Sequence, residues 1–533
     1  MNGAGGNSTR LLYDDDDDFN NGTPLCSVMF SAVTLALVLV AFKVIYERWV
    51  TPLAEVPGSL LHSLTSIPMR YYMLRGRMPE FVEALHQRYG PVVRISPQRV
   101  SFSDIAAAKQ ILGSHAFVKT PAYSMPSPIE PNTFSTLQPE VSVERRKQLG
   151  PGFSHRHLAA MESSIRQCCV INVQRKIDAL LAAHADGRAV IQYNKWFSLI
   201  TLDTIGVLGF GQQFRALERE RHDLVPVLNR IRAFNYITMA LPWLKGAPKL
   251  LGGRLRTLAT LLSFSQRAID ERRSQPAASG SGSNAPDDLL QRMLDESRAG
   301  ARPLTDPQMV SETILHLIAG VDTTSSGLTW TLALLLHNPH IMQRLTADIR
   351  REFPDRARPI TFEDCRQRLP YLAAVVSESL RVLCPAPSIL PRVTPPGGVR
   401  MGGYFMPAGT WMCCAVNSVH MNPAVFRSPH AFNPDRFLAD SPERHSLLAF
   451  STGVRACLGR NLAIVEMYIV LSNLLRNYDL CLPDDAAAVA AQPVADDCKA
   501  FVGSVPDIPR NTMMTLNPTH PDRDCLVVVS AAT

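Results

Sequence analysis

One cysteine constrains this chain more than any other feature. The stretch Phe450-Ser-Thr-Gly-Val-Arg-Ala-Cys-Leu-Gly-Arg460 sets Cys457 between Gly453 and Gly459, with Arg455 two residues before it. Glycines permit backbone angles closed to other residues and let a flat ligand lie against the main chain. A thiolate buried beside backbone N–H groups stays anionic and donates strongly to a metal, while Arg455 offers a permanent positive charge to a carboxylate. Such a loop suits a planar, metal-bearing cofactor bound through sulfur. A lone cysteine with flanking glycines is otherwise an ordinary structural thiol, so the rest of the chain must supply the other parts.

With 533 residues, 46% of them hydrophobic, the chain can bury one large core or two moderate ones. A net charge of +7 on 54 basic and 47 acidic residues, without a long basic run, gives no footprint for nucleic acid. The 11 cysteines are scattered with no C-x-x-C pair. Cys168-Cys169 and Cys413-Cys414 are chain neighbours and poor joint ligands, so reduced thiols in a reducing compartment are expected.

The N-terminus points to a membrane. From Leu25 to Phe42 no charge interrupts an apolar run that, as a helix, spans about 27 Å at ~1.5 Å per residue. The acidic run Asp14 to Asp18 stands where a secretory signal would carry basic residues, which favours an uncleaved anchor. Lys43 and Arg48 follow the run and only Arg10 precedes it, so the body is expected in the cytosol. The expected organisation is a short lumenal segment over 1–24, a transmembrane anchor over 25–46, a stiff proline hinge over 47–57 and one catalytic domain over 58–533. Asn7-Ser-Thr is then a glycosylation candidate, with Asn21-Gly-Thr too near the bilayer.

Helical periodicity covers Met78 to Tyr89 and roughly 157–184, 193–208, 222–240 and 254–273. Two short strands alternate from Pro91 to Phe102, and a third reads at Cys525 to Val529. The segment Ala240 to Leu251, with Trp243 and two lysines, suits either the membrane interface or a buried helix connection. A long helix opens at Thr305-Asp-Pro-Gln, with Asp306 expected as its N-cap and Pro307 in its first turn, and runs to about His337. At its centre, Ala319-Gly-Val-Asp-Thr-Thr324 offers small residues on which a flat ligand can lie. It also offers an acid and hydroxyls, one of which can back-bond and distort the helix. His316 shares that face by spacing and is a candidate substrate contact beside the commoner reading of a buried histidine. Glu378 and Arg381 stand at i and i+3, upstream of Phe432-Asn-Pro-Asp-Arg436-Phe437.

Phe450, Gly453, Arg455, Cys457 and Gly459 fall at the spacing F-x-x-G-x-R-x-C-x-G, which resembles the haem-binding signature of the cytochrome P-450 monooxygenases. The A-G-x-D-T-T, E-x-x-R and P-x-R-F segments resemble that family's other motifs, in the same order, and the likeness runs from about Pro57 to Leu516. It implies a mainly α fold with a small β-rich part and a haem whose iron takes Cys457 as axial ligand. Asp322 and Thr323 would assist proton delivery. Glu378, Arg381 and Arg436 would form a buried triad supporting the cysteine loop. Arg146, Arg392 and Arg455 would hold the haem carboxylates. Glu144 to Ser154 resembles the family's helix that carries W-x-x-x-R, matched at Arg146, but Ser142 stands at the aromatic position. The resemblance further implies a lipophilic substrate, lined by the 113–130 loop, the helix near Leu315, Ser388 to Leu390 and Thr512 to Thr515. Electrons would come from NADPH through NADPH-cytochrome P-450 reductase, with cytochrome b5 as an optional donor, at the endoplasmic reticulum membrane. No dinucleotide or flavin motif is present in the chain itself. A haem-thiolate isomerase or dehydratase, or a haem sensor, are the competing classes; Asp322 and Thr323 argue for oxygen chemistry.

Overall fold

A computed structural model describes residues 23–124, 130–246, 252–274, 288–298, 303–438, 440–483 and 503–532. Asn7 and Asn21 lie outside them. The first helix, Thr23–Ile45, has apolar residues on all sides. Ser27–Val50 is long and apolar enough to cross a bilayer, with none of that window buried against protein. The helix ends in a π-helical turn, Tyr46–Val50.

The following segment, read above as a stiff proline hinge, is packed against the body. Leu53 and Val56 are buried, and Arg94, 3% exposed, reaches from the strand Val92–Ser96 to the Glu47 carboxylate at 2.5 Å and the Pro97 carbonyl at 2.7 Å. The joint between the apolar helix and the body is stiffened by a guanidinium as well as by proline geometry.

The body is helical with small sheets. Val92–Ser96 and Arg99–Phe102 form the expected antiparallel hairpin. Trp411–Ala415 then pairs parallel with the hairpin's second strand, and Ile389–Val393 closes the sheet antiparallel. A second sheet places Leu526–Ala531 between Arg188–Gln192 and Tyr478–Cys481. The helix expected over 157–184 is interrupted. A π-turn at Gln167–Ile171 separates shorter helices, and it turns both Cys168 and Cys169 inward. All four paired cysteines are buried, and burial pushes Cys413 up to about 12. No metal-holding group of three ligands occurs among the described residues.

The helix Asp306–Leu336 runs through the centre for about 46 Å. Its cap is Thr305 rather than Asp306: Thr305 and Gln308 form a capping box, and Asp306 instead pairs with Arg273 at 2.7 Å. Gly320 admits Ile205, whose Cδ1 lies 3.0 Å from where a Cβ would stand, and Gly327 admits Met467 at 3.3 Å. The helices Tyr193–Phe210 and Arg460–Asn477 therefore lie close against it.

Near its start, Glu312 is fully buried and holds the loop 130–135, accepting from Thr133 N at 2.7 Å and Thr133 Oγ1 at 2.9 Å. Its other oxygen has no hydrogen-bond partner. Burial pushes its pKa from 4.5 to about 7, against the pull of Thr133 and Arg145. The fold therefore holds this proton more tightly than the unfolded chain does. The stabilisation is complete below about pH 4.5 and is lost as pH rises through 7. Glu312→Gln mimics the protonated acid. Its thermal midpoint should match the parent at pH 5 and exceed it at pH 8, by the equivalent of about 2–3 kcal/mol; a difference between variant and parent that is the same at both values would show that the fold does not raise this pKa.

Candidate active site

The cysteine loop is shaped by one glycine and left open by the other. Gly453 has φ +69°, and a Cβ there would lie 2.3 Å from the Leu112 carbonyl oxygen, so no other residue fits without displacing the backbone. Gly459 has an ordinary φ of −80°, and a Cβ there would meet nothing within 4 Å. The unusual-backbone reading therefore fails at Gly459, where a side chain would meet no neighbour. The Cys457 N–H donates to the Phe450 carbonyl at 2.8 Å and closes the loop. Cys457 is set deep in the fold and is nonetheless exposed, so it faces an interior cleft. Burial raises its thiol pKa. The N–H groups of Gly459 and Arg460 and the charges of Arg146 and Arg460 act against that rise by stabilising the thiolate.

Behind the loop lies a fully buried ion cluster. Arg381 donates to both Glu378 oxygens, at 2.7 and 2.8 Å, and its other three N–H groups go to the carbonyls of His420, Pro429 and Ala431. Glu378 Oε1 also accepts from Arg436 Nε at 3.0 Å and Asn433 N at 2.8 Å. The three predicted triad residues thus meet. His420 extends the cluster, because its Nε2 accepts from Leu448 N at 2.9 Å, two residues before Phe450. Burial, then the Arg381 charge, lowers its pKa to about 3, which keeps that nitrogen an acceptor. No periodicity or motif singled out His420.

On the other side the three predicted arginines converge. Arg146 donates to Ala456 O at 2.8 Å, Arg392 donates to Tyr123 Oη at 3.1 Å, and Arg455 reaches Gln138 O at 3.3 Å while its Nη1 is buried with no partner. Arg455 is lowered to about 10, first by burial and then by the Arg392 and Arg146 charges. No carboxylate among the described residues pairs with any of them. Ser142, one turn before Arg146, is 1% exposed and its hydroxyl also has no partner.

The central helix is buried on nearly every side except a stripe at Leu315, Ile318, Ala319, Gly320 and Thr323. Ala319 is the small residue that faces open space, whereas Gly320 serves helix packing. Thr323 Oγ1 donates to the Ala319 carbonyl at 2.7 Å, and the helix stays regular through it, so the expected distortion is not seen. Asp322 is buried beside Arg232, whose Nη1 stands 3.5 Å from Oδ2, a charge contact without a hydrogen bond. Burial raises its pKa and Arg232 opposes the rise. His316 lies off the stripe, 8% exposed, with its ring 5.6 Å from that of Phe153; it is a core residue.

A cytochrome P450 family model matches residues 57–491. The chain belongs to the cytochrome P450 family. Among its relatives are cytochrome P450 monooxygenase helB1 of Aspergillus fumigatus, 30% identical over 98% of this chain and 89% of the relative, and monooxygenase helB3 of the same fungus, 30% identical over 95% and 98%. Monooxygenase ABA2 of Pyricularia oryzae is 32% identical over 88% and 92%. The protein is therefore an oxygen-incorporating oxidoreductase of the P450 fold, whose family cofactor is haem and whose family acts with a redox partner on lipophilic substrates.

The residues present fit that cofactor. A haem would bring two carboxylates to guanidiniums that pair with none among the described residues, and Cys457, accessible within the fold, would hold its iron through sulfur. A separate cleft of about 540 Å³, lined by Glu80, Glu83, Cys384, Arg510 and Thr512 among others, contains none of the predicted haem or proton-relay residues. The donors that suit a haem gather at the cysteine loop and not in that cleft. Of the residues expected to line the substrate, Thr512 borders this separate cleft and Leu315 lies on the open stripe. Residues 125–129 of the 113–130 loop lie outside the described residues.

Proposed function

We propose that this P450 inserts one oxygen atom from O2 into a lipophilic secondary metabolite such as a terpenoid, polyketide or alkaloid. Its electrons would come from NADPH through a membrane-bound reductase. Cys457 would hold the haem iron through its sulfur, Arg146, Arg392 and Arg455 would hold the haem carboxylates, and Phe450, Gly453 and Gly459 would shape the seat. The observation that carries this reading is Cys457, set deep in the fold yet accessible, in a loop closed by its own N–H on the Phe450 carbonyl and flanked by Arg146 and Arg455, which pair with no carboxylate among the described residues. The fungal relatives and the apolar stripe at Leu315 and Ile318 support the substrate class. The exposed apolar helix followed by Lys43 and Arg48 supports a single-pass anchor in the endoplasmic reticulum with the body in the cytosol.

When bound, haem ligated by thiolate supplies the reductive activation of dioxygen. The chain's own residues manage substrate and protons. Thr323 spends its hydroxyl proton on Ala319, leaving lone pairs free to accept from water in the cleft. Asp322, raised in pKa, can hold a proton and give it up, and Arg232 tunes how readily it does so. Leu315, Ile318 and Ala319 present an apolar wall that orients a greasy substrate and excludes bulk water.

The test is turnover in reductase-supplemented membranes under 18O2. Label in the product supports oxygen insertion; product without label would mean rearrangement or dehydration and would overturn the reading. Asp322→Asn should keep full haem content and lose about 100-fold in turnover, with a larger solvent isotope effect, as general acid–base groups contribute about 10²–10⁴-fold. Unchanged turnover would remove Asp322 from the relay.

A further inference from the structure

Lys119 is 6% exposed and sits in the same cluster as Arg146, Arg392 and Arg455. Its Nζ lies 4.5 Å from the Tyr123 ring centre and 4.6 Å from that of Phe134, and donates to the Phe134 carbonyl at 2.5 Å. Two aromatic faces attract a cation, so this seat is built for an ammonium rather than a neutral amine. The seat is fixed from both ends. Val118 O accepts from Val393 N at 2.8 Å, tying the lysine to the strand that carries Arg392, and Thr133 is held by Glu312 of the central helix. An ammonium has three donors, and one is used.

No counter-charge stands at the seat among the described residues. Burial and the three guanidiniums all push the Lys119 pKa down, and no carboxylate among the described residues pairs with it. Four cations gathered in a buried place are costly unless an anion joins them. The fold keeps them together, and beside them Ser142 occupies the place where the family resemblance puts an aromatic donor.

We propose that Lys119, seated between Tyr123 and Phe134, is a fourth cation for the haem carboxylates, supplying a donor that Ser142 cannot. This rests on the haem reading above. It differs from a structural role for Lys119 in requiring carboxylates on the porphyrin.

The experiment is haem transfer from the purified full-length protein to an excess of haem-scavenging apoglobin, followed by absorbance. Lys119→Met and Lys119→Gln should lose haem about 10-fold faster or more, as expected for one hydrogen bond to a charged group, while Lys119→Arg stays within about 3-fold of the parent. With haem dimethyl ester, whose carboxylates are blocked, parent and variants should lose the porphyrin at equal rates. Loss rates unchanged in both neutral variants, or raised equally with the ester, would overturn the proposal and leave Lys119 as a strut. Should Met at 119 prevent folding, the Gln variant carries the comparison. A parent protein with no haem spectrum at all would sink the haem reading itself, a result distinct from unchanged loss rates in a haem-loaded parent.

Discussion

Cys457→Ser will give a folded polypeptide with no detectable monooxygenase turnover, and its reduced carbon monoxide complex will lack the thiolate signature. The loop does not need the sulfur to keep its shape. Its closing bond runs from the main-chain N–H of residue 457 to Phe450 O, its turn is imposed by Gly453 against Leu112, and the Glu378–Arg381 cluster behind it is untouched. Serine is lost as a donor because its hydroxyl stays neutral. The N–H groups of Gly459 and Arg460 and the nearby Arg146 stabilise a thiolate and cannot ionise an alcohol at neutral pH. The electron donation that a thiolate would supply to a bound haem is lost with the anion. The check is far-UV circular dichroism, haem content and the carbon monoxide difference spectrum on one preparation. A serine variant that keeps the parental spectrum would show that another residue ligates the iron.

Much of this site was legible because its chemistry depends on short, rigid spacings. Glu378 and Arg381 meet across one helical turn, and Gly453, Arg455 and Cys457 share one loop, so their partnership is written locally. The long central helix declared itself through its period, with its proline in the first turn. What stayed hidden depends on chain crossings. Lys119 reaches the cation cluster only because its loop bridges to the strand of Arg392, and Arg94 grips Glu47 across the joint that follows the apolar N-terminal helix. His420 joins the triad to the cysteine loop through one carbonyl and one ring nitrogen, contacts that no periodicity encodes. Two local readings failed for physical reasons. Thr305 outcompetes Asp306 as cap because its partner Gln308 completes a box while Arg273 draws Asp306 away. Gly320 spends its missing side chain on Ile205, so the small residue left for the cleft is Ala319.

Arg381→Met is expected to cost about 3–5 kcal/mol, a large share of the roughly 5–15 kcal/mol that holds a typical domain together. The guanidinium is 0% exposed and all five of its N–H groups are in use, so the loss is not confined to one ion pair. Glu378 would keep Arg436 and Asn433 N on one oxygen but nothing on the other. The carbonyls of His420, Pro429 and Ala431 would be left without their donor inside the protein. Arg381→Lys should be nearly as damaging, because three donors from a point charge cannot replace a planar fork serving five acceptors. Arg436→Lys should be milder, since Arg436 gives Glu378 a single bond. The effect on the active site travels through His420: once its carbonyl loses Arg381, the ring that receives Leu448 N is less fixed, and the cysteine loop begins two residues later. Haem content per polypeptide should therefore fall with the urea midpoint, in the order parent, Arg436→Lys, Arg381→Lys, Arg381→Met. A Glu378→Leu/Arg381→Met double variant removes the buried charge on both sides, so it should recover part of the loss but not all, because the three carbonyls remain unserved. Full recovery would mean that the cluster acts only as an ion pair; a midpoint unchanged in Arg381→Met would mean that it supports neither the fold nor the loop.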